Sequence, residues 1–296
     1  MMELKRISPT SDLAFKKVLA SEENRDILGG LIGDFFEVEA EDIKIDNPYD
    51  IAAYREVVKG EEATVLRDTL KDVSASFKTA DFVSEIQVKK TRFFDERSLY
   101  YPFVRYSQNY SKEGFMEVQP DGKLNRYSSL RPVYALNILG YPHFKDDDDA
   151  LRIFELYDPK RNKRFSKDLL RIGYFEIEKP NIETVNQRHW RDYFTTGEVG
   201  SDAPEYIRKA SRIIEFYNLT EEERNMAIAL EKARAIIDAE INSSFFDGKD
   251  IGLNEGLVKG KSEEKLTIAK AMLLKGLSPE VVSECTALPL EIVKTL

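Results

Sequence analysis

Hydrophobic and polar residues alternate most clearly in two short segments, residues 70–77 and 82–88. Strict alternation of this kind predicts β-strands, and residues 78–81 between them have the composition of a turn. The pattern therefore predicts a β-hairpin.

The same alternation predicts which polar side chains meet. Successive side chains of a strand point to opposite faces, so Asp72, Ser74 and Ser76 share one face of the first strand. In the second strand Glu85 and Gln87 point one way, and the apolar residues next to them point into a core. If the strands pair, two carboxylates and an amide converge on one polar face.

Elsewhere the pattern predicts a chain that mixes helices with strands. Helical periodicity predicts helices over residues 8–20, 22–36 and 203–241. Apolar runs bounded by turn residues predict strands over residues 43–47, 131–139 and 171–177.

Residues 93–112 form a tyrosine-rich amphipathic segment in which Pro102 should bend the helix or begin a new one. One stripe at helical spacing is polar, and we expect it to contact substrate. That stripe consists of Arg97, Tyr101, Arg105 and Gln108, and the apolar stripe beside it of Leu99, Phe103, Tyr106 and Tyr110.

The C-terminal part of the sequence differs in composition. Residues 243–262 carry a glycine at every fourth position among charged residues, which predicts either a weak helix or a mobile tether. We therefore divide the chain into a domain over 1–242, a glycine-rich charged linker over 243–262, and a small helical element over 263–296. In that element Ser278 is the expected N-cap and Pro279 the first residue of a helix.

Composition narrows the class of protein. The chain has 296 residues, of which 42% are hydrophobic and 33% charged, and no apolar run approaches the ~20 residues that span a bilayer. We expect a cytoplasmic protein that is not bound to a membrane, because no signal-peptide pattern is seen either. A single cysteine, Cys285, excludes an internal disulfide, and two histidines, His143 and His189, exclude a histidine-rich metal cluster.

The predicted polar face suits a divalent metal. Mg²⁺ prefers oxygen ligands and is often held by one or two carboxylates together with a substrate phosphate. A metal held in this way polarises a phosphoryl oxygen and lowers the pKa of a bound water. Asp72 and Glu85 are the candidate ligands of Mg²⁺ or Mn²⁺, and Gln87 can orient the attacking water or contact the phosphate.

At this point the sequence resembles a known family. The pattern Asp72…Glu85-x-Gln87 is similar to the core motif of the PD-(D/E)xK nucleases, in the variant that ends in Gln instead of Lys. That variant is typical of the Rpn-like recombination-promoting nucleases, also called PD-(D/E)xK nuclease family transposases. Further segments resemble this family in the same order: residues 11–18, 97–108, 132–139, 174–179 and 269–278.

The resemblance implies a restriction-endonuclease-like α/β fold, with a mixed central sheet flanked by helices and a helical C-terminal extension. It implies a metal-dependent DNA endonuclease, a hydrolase active in recombination or mobile-element movement. Asp72 and Glu85 would be metal ligands, Gln87 the catalytic amide, and Asp12 a further carboxylate ligand. Lys89, two residues beyond Gln87, could supply the cation that the Gln variant lacks.

Local charge agrees with a DNA-binding site. Between residues 86 and 112 six basic residues face two acidic ones, in a chain whose net charge is −9. Guanidinium groups suit bidentate phosphate contacts, and tyrosines stack on bases or bind phosphate.

Other interpretations stay open. The chain could be a catalytically decayed nuclease fold that binds nucleic acid or protein. RNase-H-type chemistry would need a downstream carboxylate such as Glu176 or Glu178. The acidic run 146–149 is more typical of a solvated loop than of a metal site. Residues 255–296 carry six lysines and six glutamates, which favours an accessory element or one for homo-oligomerisation through the C-terminal helices over a DNA-reading element.

Overall fold

The computed structural model describes residues 5–52, 54, 73–165 and 168–296, with residues 237, 238 and 240–242 described by their backbone alone. Asp72 lies outside the described residues.

A six-stranded mixed sheet forms the centre of the fold, with strand order β1-β2-β3-β6-β10-β7. The central strand β6 pairs in parallel with both β3 and β10, and the remaining neighbours pair antiparallel. Two small ribbons, β4–β5 and β8–β9, complete the described strands. The strands are β1 Lys44–Ile45, β2 Val73–Ser76, β3 Asp81–Gln87, β4 Glu117–Val118, β5 Leu124–Asn125, β6 Val133–Leu139, β7 Leu151–Glu155, β8 Tyr157–Asp158, β9 Lys163–Arg164 and β10 Leu170–Glu176.

Helices flank this sheet, as the predicted fold class requires, and the last ones form the C-terminal extension. They are α1 Asp12–Leu19, α2 Arg25–Phe36, α3 Phe94–Gln108, α4 Val185–Thr196, α5 Glu205–Ile213, α6 Glu221–Leu274, α7 Pro279–Thr286 and α8 Leu290–Val293.

The predicted hairpin is present. β2 and β3 pair antiparallel, with Val73 opposite Ser84 and Ser76 opposite Asp81. The connection is closed by a hydrogen bond from Phe77 N to Ala80 O of 2.9 Å. The alternation is confirmed for the described residues, since Val73 and Phe77 are buried in the core and the serines of β2 are half-buried.

The two faces of the sheet pack against different helices. The larger core includes side chains of α1, α2, α4 and α5 together with Phe82, Leu136 and Phe175 from the sheet. A smaller cluster covers the opposite face, where Phe94 of α3 packs with Tyr174 and with three apolar residues of β6 and β10. We call this second side the α3 face.

The structure corrects the predicted orientation of α3. Leu99, Phe103 and Tyr110 of the expected apolar stripe are exposed by 42%, 51% and 44%. The buried residues of the helix are instead Phe94, Ser98 and Pro102. After Phe94 the helix is held to the sheet largely by polar contacts, so hydrophobic periodicity does not identify its buried side. The helix also continues through Pro102, and no new helix begins there.

The C-terminal unit, residues 231–296, has a small core of its own. Ala269, Val282 and Val293 are buried there. The glycine-rich residues 243–262 lie within α6, in agreement with the helical alternative. Ser278 accepts a hydrogen bond from Val281 N and Pro279 is the first residue of α7, as predicted.

Two glycines of α2 provide a test of the packing between α2 and α5. A Cβ atom added at Gly30 would lie 2.4 Å from ring carbons of Tyr206, whereas one at Gly33 would have Val38 O as its nearest neighbour, at 3.4 Å. We expect Gly30→Ala to lower the free energy of unfolding by about 1–3 kcal/mol, because the ring must move. Gly33→Ala should lower the free energy of unfolding by less than about 1 kcal/mol, or should raise it. Urea denaturation of both variants measures the difference, and equal values would contradict this packing.

Candidate active site

Strand β3 presents three polar side chains to the α3 face. Asp81, Glu85 and Gln87 share this face, whereas Phe82 and Ile86 point into the opposite core, as the strand period requires. All three are buried, with exposed fractions of 0%, 6% and 7%. Buried carboxylates need a charged or hydrogen-bonding partner, and α3 supplies partners for both.

Glu85 and Gln87 are joined by one arginine. Arg97 Nη2 donates hydrogen bonds to Glu85 Oε1 and to Gln87 Oε1. At its other end the Gln87 amide donates from Nε2 to Lys89 O, at 2.6 Å. The guanidinium group also lies 5.8 Å from the ring centroid of Phe94. We call Arg97, Glu85 and Gln87 the Arg97 clamp.

A second clamp lies at the start of the same strand. Arg105 Nη2 contacts Asp81 Oδ1 at 3.1 Å and Asp46 Oδ2 at 2.8 Å. Asn109 Nδ2 donates to the other oxygen of Asp81. Arg105, Asp81 and Asn109 form the Arg105 clamp.

The two clamps fix the orientation of α3. The early residue Arg97 meets the end of β3 and the late residue Arg105 meets its start, so helix and strand run antiparallel. Eight helical residues rise about 12 Å, and the four strand residues from Asp81 to Glu85 span about 13 Å. Because these lengths match, both arginines reach their carboxylates at once.

The predicted substrate-binding residues therefore lie in different environments. Arg105 is engaged in the ion pairs above, one with buried Asp81 and one with exposed Asp46, although the sequence placed it in a phosphate-facing stripe. Lys89 and Gln108 are exposed, Arg97 belongs to the Arg97 clamp, and Tyr101 is half-buried. Of these residues, Arg97 donates hydrogen bonds to both Glu85 and Gln87.

Asp12, the third predicted carboxylate, lies in the first turn of α1, which Ser11 caps. Its backbone carbonyl accepts a hydrogen bond of 3.1 Å from Tyr54 Oη. The apolar side of α1 belongs to the larger core on the face opposite α3. A metal-binding role for Asp12 remains a prediction.

Neighbouring strands add residues that sequence patterns did not identify. In the register of the parallel strands Glu85 lies beside Asn137, and Asn137 beside Tyr174. Tyr174 Oη and Ser98 Oγ are 2.6 Å apart, which ties β10 to α3. Only the strand register reveals this row, because its members come from distant parts of the chain.

Tyr141, just after β6, is the most notable of the unforeseen residues. Its hydroxyl is buried and has no hydrogen-bond partner among the described residues. Burial raises the pKa of Tyr141 to about 12, opposed by Arg97 and reinforced by the carboxylates of Glu85, Asp95 and Glu176. The hydroxyl is therefore protonated at neutral pH and can donate a hydrogen bond beside the Arg97 clamp.

Glu176 is fully buried at the end of β10 and holds the neighbouring loop. Its Oε1 accepts hydrogen bonds from the backbone N–H groups of His143 and Phe144. Its Oε2 lies 2.9 Å from Lys179 Nζ. Glu178 is exposed. Glu176 is thus committed to structural contacts, which disfavours the RNase-H-type alternative.

Arg152 pairs with two of the four aspartates in the acidic run at residues 146–149. It contacts Asp146 Oδ1 at 2.5 Å and also bonds to Asp147. These contacts lower the pKa of both carboxyl groups. Within the described ranges no group of three or more histidine, cysteine or acidic residues is arranged to hold a metal ion.

The described half of the predicted metal site nevertheless has suitable chemistry. Glu85 provides a buried carboxylate, and Gln87 an amide oxygen on the same strand face. Such oxygen donors suit hard cations such as Mg²⁺ or Mn²⁺. The fit of the other half depends on Asp72.

Comparison with known families decides the classification. The sequence matches the PD-(D/E)XK nuclease family transposases over residues 9–243. The chain belongs to this family. The match confirms the resemblance seen in the sequence and agrees with the mixed sheet described above. No curated protein and no solved structure matches the chain significantly.

Membership of the PD-(D/E)XK family carries chemical consequences. These proteins are nucleases, and nucleases of this class generally use divalent metals. The family also implies DNA as the substrate. In the described part of this PD-(D/E)XK chain, no helix combines the length and apolarity needed to cross a bilayer.

Proposed function

We propose that this PD-(D/E)XK family member is a cytoplasmic, Mg²⁺- or Mn²⁺-dependent endonuclease that hydrolyses DNA phosphodiester bonds in recombination or mobile-element movement. The supporting observation is the Arg97 clamp. It holds a buried carboxylate and a buried amide side by side at the end of a central strand. Both residues occupy positions of the family motif.

In this proposal Asp72 and Glu85 hold the cation, with Asp12 as a further candidate ligand. The bound metal would polarise the scissile phosphate and activate a water. Gln87 has no basic group, so its part is to position the water or the phosphate through its amide. The contact from Arg97 and the contact to Lys89 O fix the rotation of that amide.

Arg97 supplies the positive charge that the Gln variant of the motif lacks. Its guanidinium reaches both motif residues of β3 from the neighbouring helix. It can therefore balance Glu85 before substrate binds and contact a phosphate afterwards, since guanidinium groups suit phosphate oxygens. Lys89, Tyr101 and Gln108 stay proposed substrate contacts nearby in the sequence.

Metal-dependent nicking of supercoiled plasmid by the purified protein tests this function. We expect cleavage with Mg²⁺ or Mn²⁺, none with EDTA, and none from Asp72→Ala with either metal. Circular dichroism and thermal unfolding of the variant serve as the fold control. Cleavage that persists in EDTA, or in both Asp72→Ala and Glu85→Ala, would exclude the proposed site.

A second candidate is a decayed nuclease that binds DNA or protein without cutting. The contact between Arg97 and Glu85 favours it, because an arginine already balances the charge that a metal would otherwise balance. This candidate predicts that the wild-type protein binds DNA and does not nick it with any divalent metal.

A further inference from the structure

The loop between β3 and α3 connects the two halves of the Arg97 clamp. It spans residues 88–93, and its last five residues, 89–93, are all exposed. At one end Gln87 Nε2 holds Lys89 O, and at the other Arg97 N donates to Phe93 O at 3.1 Å. This 89–93 loop is therefore held in place by two members of the candidate site.

Phe93 has an unusual conformation. Its backbone is left-handed, with φ 58° and ψ 29°. Six non-glycine residues have positive φ in the part of the chain that the structure describes, and Phe93 is the one aromatic residue among them. Bulky side chains are rarely found in this region, and such outliers concentrate at functional sites.

The left-handed turn directs two neighbouring phenylalanines to different environments. Phe94 is 3% exposed and packs in the cluster of the α3 face, whereas Phe93 is 72% exposed. The fold thus bears an unfavourable backbone conformation together with a solvated aromatic ring. Because the Phe93 ring is not buried, packing within the described fold explains neither feature.

The charge of the loop indicates the kind of partner. Lys89, Lys90 and Arg92 give residues 89–93 three positive charges and no negative one, in a chain with net charge −9. Neither Lys90 nor Arg92 forms an ion pair with a carboxylate of the described ranges. An aromatic ring flanked by cations is the combination that binds single-stranded nucleic acid, because bases stack on the ring and phosphates contact the cations.

We propose that Phe93 stacks on an unpaired base of the DNA, while Lys90 and Arg92 contact the adjacent phosphates. This inference rests on the proposed function for its substrate and specifies which form of DNA the site accepts. The base beside the Arg97 clamp would be unstacked, and the 89–93 loop would place its strand against Glu85 and Gln87.

Binding of a single-stranded deoxyoligonucleotide containing 2-aminopurine tests this proposal in EDTA, where metal-dependent cleavage is absent. We expect the wild-type protein to quench the 2-aminopurine fluorescence as the base stacks. Phe93→Gly should raise Kd about 10-fold and abolish the quenching. Phe93→Trp should retain both. A blunt duplex of the same length should respond much less to Phe93→Gly.

Three controls separate stacking by Phe93 from changes in folding, from the loss of any exposed aromatic ring, and from charge. Phe93→Gly relieves the left-handed strain, so its thermal stability should equal or exceed that of the wild type. Tyr217→Ala removes another aromatic ring, 75% exposed, and should leave binding unchanged. Lys90→Ala and Arg92→Ala should each reduce the slope of log K against log salt by about 0.7.

Unchanged binding and quenching in Phe93→Gly would overturn the proposal, as would a wild-type protein that fails to bind the oligonucleotide. The assay is independent of catalysis. A protein that quenches 2-aminopurine through Phe93 and never nicks plasmid would refute the nuclease activity and confirm the stacking.

Discussion

Glu85→Gln is expected to abolish metal-dependent DNA cleavage and to leave the fold intact. The substitution keeps the shape of the side chain and removes the charge that the proposed cation would bind. Since a bound metal contributes several kcal/mol to transition-state stabilisation, the rate of plasmid nicking should fall at least about 100-fold. Arg97 would lose its carboxylate partner, so we also expect about 1–3 kcal/mol lower stability.

Asp81→Asn is the matched control for this variant. Asp81 lies on the same strand and face as Glu85, and it is likewise bound by an arginine of α3. The control should lose at least as much free energy of unfolding, because Asp81 is fully buried. Its nicking rate per folded molecule should equal that of the wild type. Equal loss of activity in both variants would indicate that the clamps act only through stability.

Asp34→Ala is expected to cause the largest loss of stability. The Asp34 carboxylate accepts hydrogen bonds from Trp190 Nε1 at 2.8 Å, Asn186 Nδ2 at 2.7 Å and Tyr206 Oη at 2.8 Å. Burial and Asp34 raise the pKa of Tyr206, so its hydroxyl stays protonated as a donor. Removing the acceptor leaves these donors unsatisfied around a buried Trp190, and we expect a loss of about 3–5 kcal/mol in urea denaturation.

Asp26→Ala supplies the comparison on the same helix. Asp26 pairs with Lys209 Nζ at 2.7 Å, and 53% of its side chain is exposed. Exposed ion pairs contribute about 0–1 kcal/mol, so this variant should unfold near the wild-type midpoint. If both variants lost the same free energy of unfolding, the hydrogen bonds of Asp34 would not stabilise the packing of α2 with α4 and α5.

Local patterns in the sequence were sufficient to predict the hairpin of β2 and β3. Alternation identified β2 and β3 and placed Glu85 and Gln87 on one face, because a strand period of two leaves little ambiguity when apolar residues mark the other face. The order of motifs along the chain gave the family, which the match over residues 9–243 confirms. The metal ligands themselves stay predictions.

Contacts between elements that are distant in the sequence could not be predicted from local patterns. The buried side of α3 was predicted wrongly, because its contacts with the sheet come from Arg97, Arg105 and Asn109 rather than from Leu99 or Phe103. Tyr141 was not predicted as a site residue, because no motif or periodicity in the neighbouring sequence identifies it. Its position follows from the parallel pairing of β3 with β6, and a single sequence does not encode that pairing in any short pattern.

The paired clamps of α3 have a consequence for how relatives of this chain can diverge. One residue inserted between Arg97 and Arg105 would turn the far end of the helix by roughly 100° and shift it by about 1.5 Å. One guanidinium would then face solvent while its carboxylate stayed buried in the sheet. Length changes in homologues should therefore be found before position 97 or after position 109, and the span between should be constant in length even where its exposed side chains vary.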